Sequence, residues 1–387
     1  MASTESFVYV GAYTGFGPNR RGKADGIEIF RLNPENGTLT HQGTVPGVEN
    51  PTFLAAHPSG RFLYAVNGSP SIDGHPGGAV TAFAINPTTG NLDYLNRQFT
   101  IGQGPCHATI HRNGRFLLAT SYHAGSVVVF PISEDGTLGP ASDLVQHHGS
   151  SVNPDRQNQP HPHSVNFDCD QRFALVCDLG LDRVFVYRFD AENGKLIAND
   201  PPWVATEPGV GPRHLAVHPS GRYVFTINEI GSSLSSFAYD PDRGVLTPVE
   251  TRSTIPEDFV GEPYTPDVQV GAAANRPPVV GTNFASDVHV APNGRFVYGS
   301  NRGHDSIVSF AFDESTGRLS DLAHQSTGGR TPRTFTIDAP DSLVLVPNQG
   351  SDSIVAFRCD EASGLLSPTG AIATSPSPTH LVIVRTS

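Results

Sequence analysis

Four side chains that lie far apart in the sequence carry the groups needed for acid–base chemistry on an anion. His163 and Glu229 can exchange protons near neutral pH if their surroundings shift their pKa values. Arg213 and Arg302 offer planar guanidinium donors that match the geometry of a carboxylate or a phosphate. Together these residue types predict a pocket for a small anionic molecule.

Other chemistries have weaker support in the sequence. His161 and His163 alternate as a pair of metal ligands would, but no third ligand follows at a readable spacing. There is no G-x-S-x-G nucleophile motif and no phosphate-binding P-loop. Lys23 and Lys195, the only lysines, fall in expected loops, which disfavours Schiff-base chemistry. We therefore expect a site that uses neither a metal ion nor another cofactor.

The composition excludes several classes of protein. The 387 residues include 40 glycines and 33 prolines, too many helix breakers for a large helical or coiled-coil protein. Many short strands joined by tight turns tolerate them. The net charge of −12 argues against a nucleic-acid backbone or an anionic membrane as a partner. A small basic pocket remains compatible with this charge.

The apolar runs are strand-sized, and none approaches the roughly 20 residues that a membrane-spanning helix needs. The segment Met1 to Phe7 lacks the pattern of a secretory signal. The cysteines show neither a CxxC pair nor a disulfide framework spacing. We therefore expect a cytoplasmic protein with reduced thiols, present as a monomer or weak homo-oligomer.

An internal repeat organises the chain. Asn50 to Asn67 (NPTFLAAHPSGRFLYAVN) closely matches Gly211 to Asn228 (GPRHLAVHPSGRYVFTIN), and His57 and His218 in these segments are interpreted as turn residues. The same register fits around further anchor residues, spaced 47 to 73 residues apart. Such a period indicates a radial or linear array. The anchors are Arg61, Arg115, Arg172, Arg222, Arg295 and Ser342.

Each unit reads as four short antiparallel strands, which is the pattern of a propeller blade. The N-terminal segment, from Phe7 to Thr14, resembles a second strand, whereas the last unit has only a first strand, so we expect the two termini to share one blade. The sequence thus predicts an all-β, seven-bladed β-propeller that forms a single domain over residues 1–387. The first strands are expected at Pro51, Pro105, Pro162, Pro212, Ala285, Pro332 and Pro378.

Two segments exceed the repeat. The stretch 250–283 is rich in proline and glycine, and the stretch 146–159 is polar and rich in His, Asn and Gln. Long loops without secondary structure are often functional in compact folds. Each is interpreted either as a lid over the site or as a tolerated insertion.

Two columns of the repeat vary between units and carry the candidate site. The residue after each first-strand start includes His163, Arg213 and Arg333, and the next residue includes His107. The position seven residues after each anchor, at the end of the second strand, contributes a second set of candidate residues. Since first and second strands are antiparallel neighbours, both columns should rim one end of the central channel. That second set includes Glu229, Arg302 and Gln349, with Tyr13 supplied by the N-terminal unit.

A structural interpretation of the same residues stays open at this point. Arg213 and Glu229 could form an ion pair that only holds one blade together, with His163 packed beside them. Arg333, His107, Tyr13 and Gln349 are candidate substrate-binding residues, but side chains in these positions would serve equally well to fill the channel mouth.

Short motifs in a fixed order resemble the seven-bladed lactonase family, which contains bacterial 6-phosphogluconolactonases and fungal carboxy-muconate cycloisomerases. The resemblance covers nearly the whole chain except 250–283, which has no counterpart. The motifs are Tyr9-Val-Gly-Ala-Tyr-Thr14, Pro162-His-Ser164, Asp178-Leu-Gly-Leu-Asp182, Gly211-Pro-Arg-His214, Asn228-Glu229, Asn301-Arg-Gly-His-Asp305, Gly328-Gly329, Pro332-Arg333 and Asn348-Gln349.

The resemblance implies a function and assigns roles. In the cycloisomerase branch a His, an Arg, a Glu and an Arg act at the channel mouth, and by motif these match His163, Arg213, Glu229 and Arg302. A metal-independent lactonase acting on an anionic sugar lactone is implied, with 6-phosphogluconolactone converted to 6-phosphogluconate. In our first assignment Glu229 activates water and His163 protonates the leaving oxygen, although the two roles are exchangeable.

Two other functions remain alternatives. The same pocket could lactonise a muconate-like dicarboxylate, with the arginines holding its carboxylates. The propeller could also be a non-catalytic binding platform, although the single tryptophan, Trp203, and the lack of a basic stripe disfavour it.

Overall fold

Thirty strands and two short 3₁₀ helices make up the part of the chain that a computed structural model describes, residues 5–16, 21–260 and 282–386. The first ten strands are β1 (Glu5–Ala12), β2 (Gly26–Leu32), β3 (Leu39–Pro46), β4 (Pro51–Ala56), β5 (Phe62–Asn67), β6 (Ser71–Ile72), β7 (His75–Pro76), β8 (Ala79–Ile85), β9 (Leu92–Phe99) and β10 (Pro105–Ile110). The next eleven are β11 (Phe116–Ser121), β12 (Ser126–Pro131), β13 (Asp143–Gln146), β14 (Pro162–Phe167), β15 (Phe173–Asp178), β16 (Arg183–Asp190), β17 (Lys195–Ala205), β18 (Pro212–Val217), β19 (Tyr223–Asn228), β20 (Ser233–Asp240) and β21 (Val245–Ser253).

The remaining strands are β22 (Phe284–Val290), β23 (Phe296–Arg302), β24 (Ser306–Asp313), β25 (Arg318–Ser326), β26 (Thr336–Asp338), β27 (Leu343–Asn348), β28 (Ser353–Cys359), β29 (Leu366–Thr374) and β30 (Pro378–Thr386). The 3₁₀ helices are Ala339–Asp341 and Gln349–Ser351.

Seven antiparallel four-stranded sheets form the blades of a propeller, and β6 and β7 form a small additional hairpin. Blade 1 contains β4, β5, β8 and β9, and blades 2 to 6 take four successive strands each, from β10–β13 to β26–β29. Blade 7 joins the termini in the order β30-β1-β2-β3, with Val8 opposite Ile383. The prediction of seven blades closed by both termini is therefore confirmed.

The hydrophobic core lies between the blades. Among the described residues, seven apolar clusters each join two neighbouring blades; one of them packs Tyr64 of blade 1 against Leu117 of blade 2. Because burying one such side chain is worth about 1.5–3 kcal/mol, this packing holds the ring closed. The innermost strands of neighbouring blades also pack on one another around the central channel.

A β-bulge at the start of the innermost strand sets the geometry of the channel. In blade 3, Pro162 lies opposite Asp178 and Ser164 opposite Cys177, so His163 has no partner in the ladder. A bulge bends the strand and re-aims the extra side chain. Blades 1, 2, 4 and 7 show the same shift, and their unmatched residues are Thr52, Cys106, Arg213 and Thr379.

Blades 5 and 6 depart further from the regular ladder. In blade 5 the ladder skips both Ser286 and Asp287. In blade 6 the predicted strand at Pro332 is reduced to a single bridge with Asn348, and β26 begins only at Thr336. The physical reason is that the intervening groups bond to neighbouring blades: the backbone N of Phe335 donates to Asp287 and the Thr334 hydroxyl donates to the Thr379 carbonyl.

The bulged residues are tied to one another from blade to blade. The Thr379 hydroxyl donates to the Thr52 carbonyl at 2.9 Å, the Ser286 hydroxyl to the Arg333 carbonyl at 2.5 Å, and Arg213 Nη1 to the Ser286 carbonyl. Together with the bond from Thr334 to Thr379, they link the innermost strands from blade 4 through blade 7 to blade 1.

The longest spacing in the repeat falls between β21, which ends at Ser253, and β22, which begins at Phe284. Glu250 to Ser253 therefore extend a strand and are not part of a loop, in contrast to the sequence prediction. Residues 261–281 of the predicted insertion lie outside the described residues, so its role as a lid stays a prediction. The described part of the chain contains no helix with the length and apolar character needed to cross a membrane.

Candidate functional site

The centre of the site is the carboxylate of Glu229, the residue that directly follows β19. Its Oε2 atom accepts hydrogen bonds from Arg213 Nε at 2.9 Å and from Arg302 Nη2 at 2.8 Å. Arg213 comes from the bulge of β18 and Arg302 ends β23, so the three residues join blades 4 and 5. All three side chains are at most 4% exposed. The sequence prediction that these groups meet at one end of the channel agrees with this geometry.

A third guanidinium, which the sequence analysis did not select, completes the cluster. Arg156 Nη2 donates to Glu229 Oε1 at 2.5 Å and contacts the Tyr122 hydroxyl at 3.3 Å. Arg156 lies in the segment 146–159, on the loop between β13 and β14, and its side chain is 16% exposed. The only signal in the sequence was that this polar segment contains a single arginine.

The electrostatics of the cluster keep Glu229 ionised. Burial alone would favour the neutral acid, but Arg302, Arg156 and Arg213 hold the pKa of Glu229 well below its usual range. Burial together with Arg302 and Arg333 lowers the pKa of Arg213 to about 9, which leaves it charged at neutral pH. Burial lowers the pKa of Arg302 as well, with Glu229 opposing this shift.

His163 lies beside this cluster as a neutral imidazole. Burial, followed by the charge of Arg213 and the neighbouring His214, lowers its pKa well below the usual histidine value. Its Nδ1 atom lies 3.8 Å from the thiol of Cys106, and its ring makes an edge contact with Tyr122 at 5.4 Å between centroids. The imidazole is therefore neutral at neutral pH, with a nitrogen lone pair available to a ligand.

His107 and its neighbours form the next layer of the channel. The Phe53 ring lies 4.2 Å from His107 and 3.8 Å from His380, measured between centroids. Phe53 also reaches His214 across the channel at 6.3 Å. Burial lowers the pKa of His380 to about 3 and that of His107 well below its usual value. These rings therefore form an uncharged layer, and substrate binding by His107 stays a prediction.

Arg333 and Tyr13 extend the positive region along the rim. The Arg333 guanidinium lies 5.7 Å from the centre of the Tyr13 ring. Although burial opposes its ionisation, Arg333 and Arg21 together lower the pKa of Tyr13. Gln349 opens a 3₁₀ helix, and its backbone N donates to the Thr331 carbonyl at 3.1 Å. The half-buried Gln349 side chain makes no hydrogen bond with any described residue. Substrate binding by these residues stays a prediction.

The alternative interpretation, an ion pair between Arg213 and Glu229, is present but describes only part of the arrangement. One carboxylate faces Arg156, Arg213 and Arg302, and both of the latter two also sense the charge of Arg333. A pair that served only to hold a blade together would need no such excess of cations. The surplus positive charge indicates a site for an anion.

No group of three or more His, Cys, Asp or Glu side chains within residues 5–16, 21–260 and 282–386 is arranged to hold a metal ion. The His161 Nδ1 atom contacts the Tyr122 carbonyl at 2.8 Å, and its ring stacks on that tyrosine at 4.2 Å between centroids. His161 is therefore engaged elsewhere and does not pair with His163 as a ligand.

The metal-independent reaction expected from the sequence predicts an activity that chelators do not affect. A metal-dependent reaction would lose its Lewis acid on dialysis against EDTA, whereas guanidinium and imidazole groups are unaffected. After dialysis, the rate of acid release from the lactone expected as substrate should stay within about twofold of the rate of the untreated protein. Loss of activity that returns on adding Ca²⁺ or Zn²⁺ would contradict metal independence.

Comparison with known proteins gives a consistent result over nearly the whole chain. The family model described as "Lactonase, 7-bladed beta-propeller" matches residues 7–383. A 6-phosphogluconolactonase of Bacillus subtilis is 32% identical over 342 residues, which is 88% of each chain. A 6-phosphogluconolactonase of Formosa agariphila is 30% identical over 343 residues, again 88% of each chain.

A solved structure supports the same relationship. The periplasmic gluconolactonase of Pseudomonas aeruginosa superposes with a TM-score of 0.86 at 30% identity and with full coverage of both chains. Because that relative is periplasmic, the cytoplasmic location expected for this chain stays a prediction. The expected class of enzyme, a lactonase, is confirmed. By its fold, its repeat and these matches, the chain belongs to the seven-bladed β-propeller lactonase family.

Proposed function

We propose that this protein hydrolyses an anionic sugar lactone, with 6-phosphogluconolactone as substrate and 6-phosphogluconate as product. The observation that carries the proposal is the surplus of buried guanidinium charge around a single carboxylate, next to a neutral imidazole. The relatives named 6-phosphogluconolactonase support the choice of a phosphorylated lactone.

The arginines are suited to hold an anion and to stabilise an oxyanion. Arg213 uses Nε and Nη1 for bonds to Glu229, His214 and the Ser286 carbonyl, so its Nη2 makes no hydrogen bond with the described residues. Arg302 is held to Glu229 through Nη2 alone. Donors that are fixed before the reaction act strongly in a buried site because they need no reorganisation when charge develops.

The geometry favours one of the two role assignments that the sequence left open. Both oxygens of Glu229 accept charged hydrogen bonds, and this carboxylate therefore has little affinity for a proton. The pKa of His163 is lowered too, first by burial and then by the charge of Arg213, but no cation donates a hydrogen bond to its imidazole among the described residues. We therefore assign His163 as the group that takes the proton from water, with Glu229 holding the arginines in place.

The reaction then proceeds in two balanced steps. His163 removes a proton from water as the water oxygen bonds to the lactone carbonyl carbon, and Arg213 and Arg302 stabilise the resulting oxyanion. The bond between that carbon and the ring oxygen then breaks, and the protonated imidazole returns its proton to the ring oxygen. The net change adds one water and leaves an open-chain hydroxy acid.

Binding of an anionic substrate would raise the pKa of the His163 imidazole. Arg213 and Arg333 contribute to the low pKa of His163 in the free protein. A phosphate or carboxylate near them compensates their charge, so the pKa of His163 should rise in the complex towards the working pH. A general base is most effective when its pKa lies near that pH.

The acid limb of the rate profile should lie below the ordinary histidine pKa of about 6.5. Because the pKa of His163 is lowered, the neutral and active form of the free protein persists as the pH falls through this value. We expect kcat/KM, corrected for spontaneous hydrolysis, to be constant between about pH 6.5 and 8. An acid limb with its midpoint at or above pH 6.5 would contradict this assignment.

A panel of lactones tests the proposed function. Purified protein should release acid from 6-phosphogluconolactone with a higher kcat/KM than from unphosphorylated gluconolactone. Under the alternative function, ultraviolet absorbance of a conjugated muconate would fall instead on addition of the protein. Absence of turnover with every lactone and muconate would reject both reactions and favour a binding role.

A further inference from the structure

Asp287 and His214 form a buried, hydrogen-bonded pair, and His214 contacts Arg213 of the candidate site. We propose that this pair is the positioning device for Arg213, fixing the orientation of its guanidinium through His214 Nε2. The inference rests on the proposed function because it concerns a residue of the same site.

The hydrogen bonds determine the tautomer of His214. Arg213 Nη1 lies 3.1 Å from His214 Nε2, and because a guanidinium can only donate, Nε2 must accept. The proton is therefore on Nδ1, which lies 2.7 Å from Asp287 Oδ1 and donates to it. Asp287 thus selects the one tautomer of His214 that can receive Arg213.

Asp287 is itself rigidly held. Its Oδ1 also accepts from the Val288 backbone N at 3.1 Å, and its Oδ2 accepts from the Phe335 backbone N and from His289 Nε2, both at 3.1 Å. Only 6% of Asp287 is exposed. The chain of bonds from Asp287 through His214 to Arg213 and Glu229 therefore anchors the guanidinium to blades 4, 5 and 6.

Neutral His214 is required for this arrangement. Burial and the charge of Arg213 lower the pKa of His214 to about 4, with Asp287 opposing the shift. A protonated ring would turn a donor towards Arg213 Nη1 and repel it. Orientation of a catalytic group by a hydrogen-bonded partner is a common way in which buried residues contribute to activity without touching the substrate.

Two substitutions of His214 separate positioning from packing. In His214→Phe the ring shape is kept and the acceptor is lost, and we expect kcat/KM for 6-phosphogluconolactone to fall about 10- to 100-fold. In His214→Gln the side-chain oxygen can occupy the Nε2 position and accept from Arg213. That variant should recover most of the lost activity, even though its bond to Asp287 is altered.

A double-mutant cycle then locates the effect. His214→Phe should cost little further activity in an Arg213→Gln background, because a positioning residue acts only through the group that it positions. The matched control is Asp168→Asn. Asp168 is another buried carboxylate, which accepts from the backbone N atoms of Arg172 and Phe173 at 2.8 and 3.0 Å, and its substitution should leave kcat/KM unchanged. Thermal unfolding of each variant monitors folding.

The outcomes distinguish this inference from the proposed function. If Arg213→Gln is as active as the unaltered protein, both fail. If Arg213→Gln loses activity while His214→Phe keeps it, or if His214→Gln is as impaired as His214→Phe, only the positioning role is overturned. Should His214→Phe fail to fold, Asp287→Asn, which leaves the ring in place but no longer selects its tautomer, must show the same 10- to 100-fold loss; full activity there overturns the inference.

Discussion

Replacing His163 by glutamine is expected to lower kcat for lactone hydrolysis by about 10²- to 10⁴-fold, the usual contribution of a general acid–base group. The loss should fall on kcat more than on KM, because the amide cannot carry the proton from water to the ring oxygen. Steady-state assays with 6-phosphogluconolactone, corrected for spontaneous hydrolysis, measure it.

His218→Gln is the matched control for this substitution. His218 is also buried, but its ring bonds the Ser220 hydroxyl at 2.8 Å and the Gly294 carbonyl at 2.9 Å, in the turn that follows β18. The His218→Gln variant, once its folding has been verified, should retain the full kcat. Equal losses in the two variants would mean that His163 matters only for packing.

The second large effect concerns stability. Glu229→Gln removes the carboxylate that, within the described residues, accepts bonds from Arg156, Arg213 and Arg302. Leaving buried charges without their partner costs about 3–5 kcal/mol, so we expect the free energy of unfolding to fall by that amount and the activity to be lost with it. Denaturant unfolding at neutral pH measures the change.

Two further variants test the cause of that loss. Adding Arg156→Gln to Glu229→Gln should restore part of the stability, because it removes one of three mutually repelling cations. In contrast, Glu314→Gln alters an exposed ion pair with Arg222 (2.6 Å) and should leave the free energy of unfolding nearly unchanged. A Glu229→Gln protein as stable as the parent would show that the arginines do not depend on the carboxylate.

The propeller could be predicted from the sequence because its signal is repeated. A turn and the apolar strands on either side of it recur with a period near 50 residues, and the turn reads HPSGR in the two units that match most closely. A closed ring is the way in which such units bury their sheets. The incomplete units at Phe7 and Pro378 then required one another, and β1 does pair with β30. The prediction of a regular first strand was wrong at Pro332, where tertiary hydrogen bonds replace the regular ladder.

The candidate site was only partly predictable. Equivalent positions in the repeat predicted one end of the central channel for His163, Arg213, Glu229 and Arg302. The reason is that antiparallel pairing places the start of one strand beside the end of the next. The bulges that turn His163 and Arg213 out of the ladder were not predicted, because a bulge depends on the register between two strands. Each of these residues directly follows a proline, a signal that was used only to place the strand start.

The sequence did not reveal Arg156, because its contact with Glu229 is made from a loop and does not recur in the other blades. Arg156 reaches Glu229 from a loop whose path follows from tertiary bonds, such as Gln157 Nε2 to the Leu179 carbonyl at 2.9 Å. The role of Glu229 also changed for this reason. A carboxylate beside the two predicted arginines was assigned as the base, whereas one that accepts bonds from three guanidinium groups is, in our proposal, the group that holds them in place.

A crystal structure with the product 6-phosphogluconate bound is the most direct test of the account. We expect the carboxylate of the ligand to lie beside His163, Arg213 and Arg302, at the end of the channel next to the Phe53 and His107 layer. A ligand bound at the opposite end of the channel, or one out of reach of His163, would contradict it.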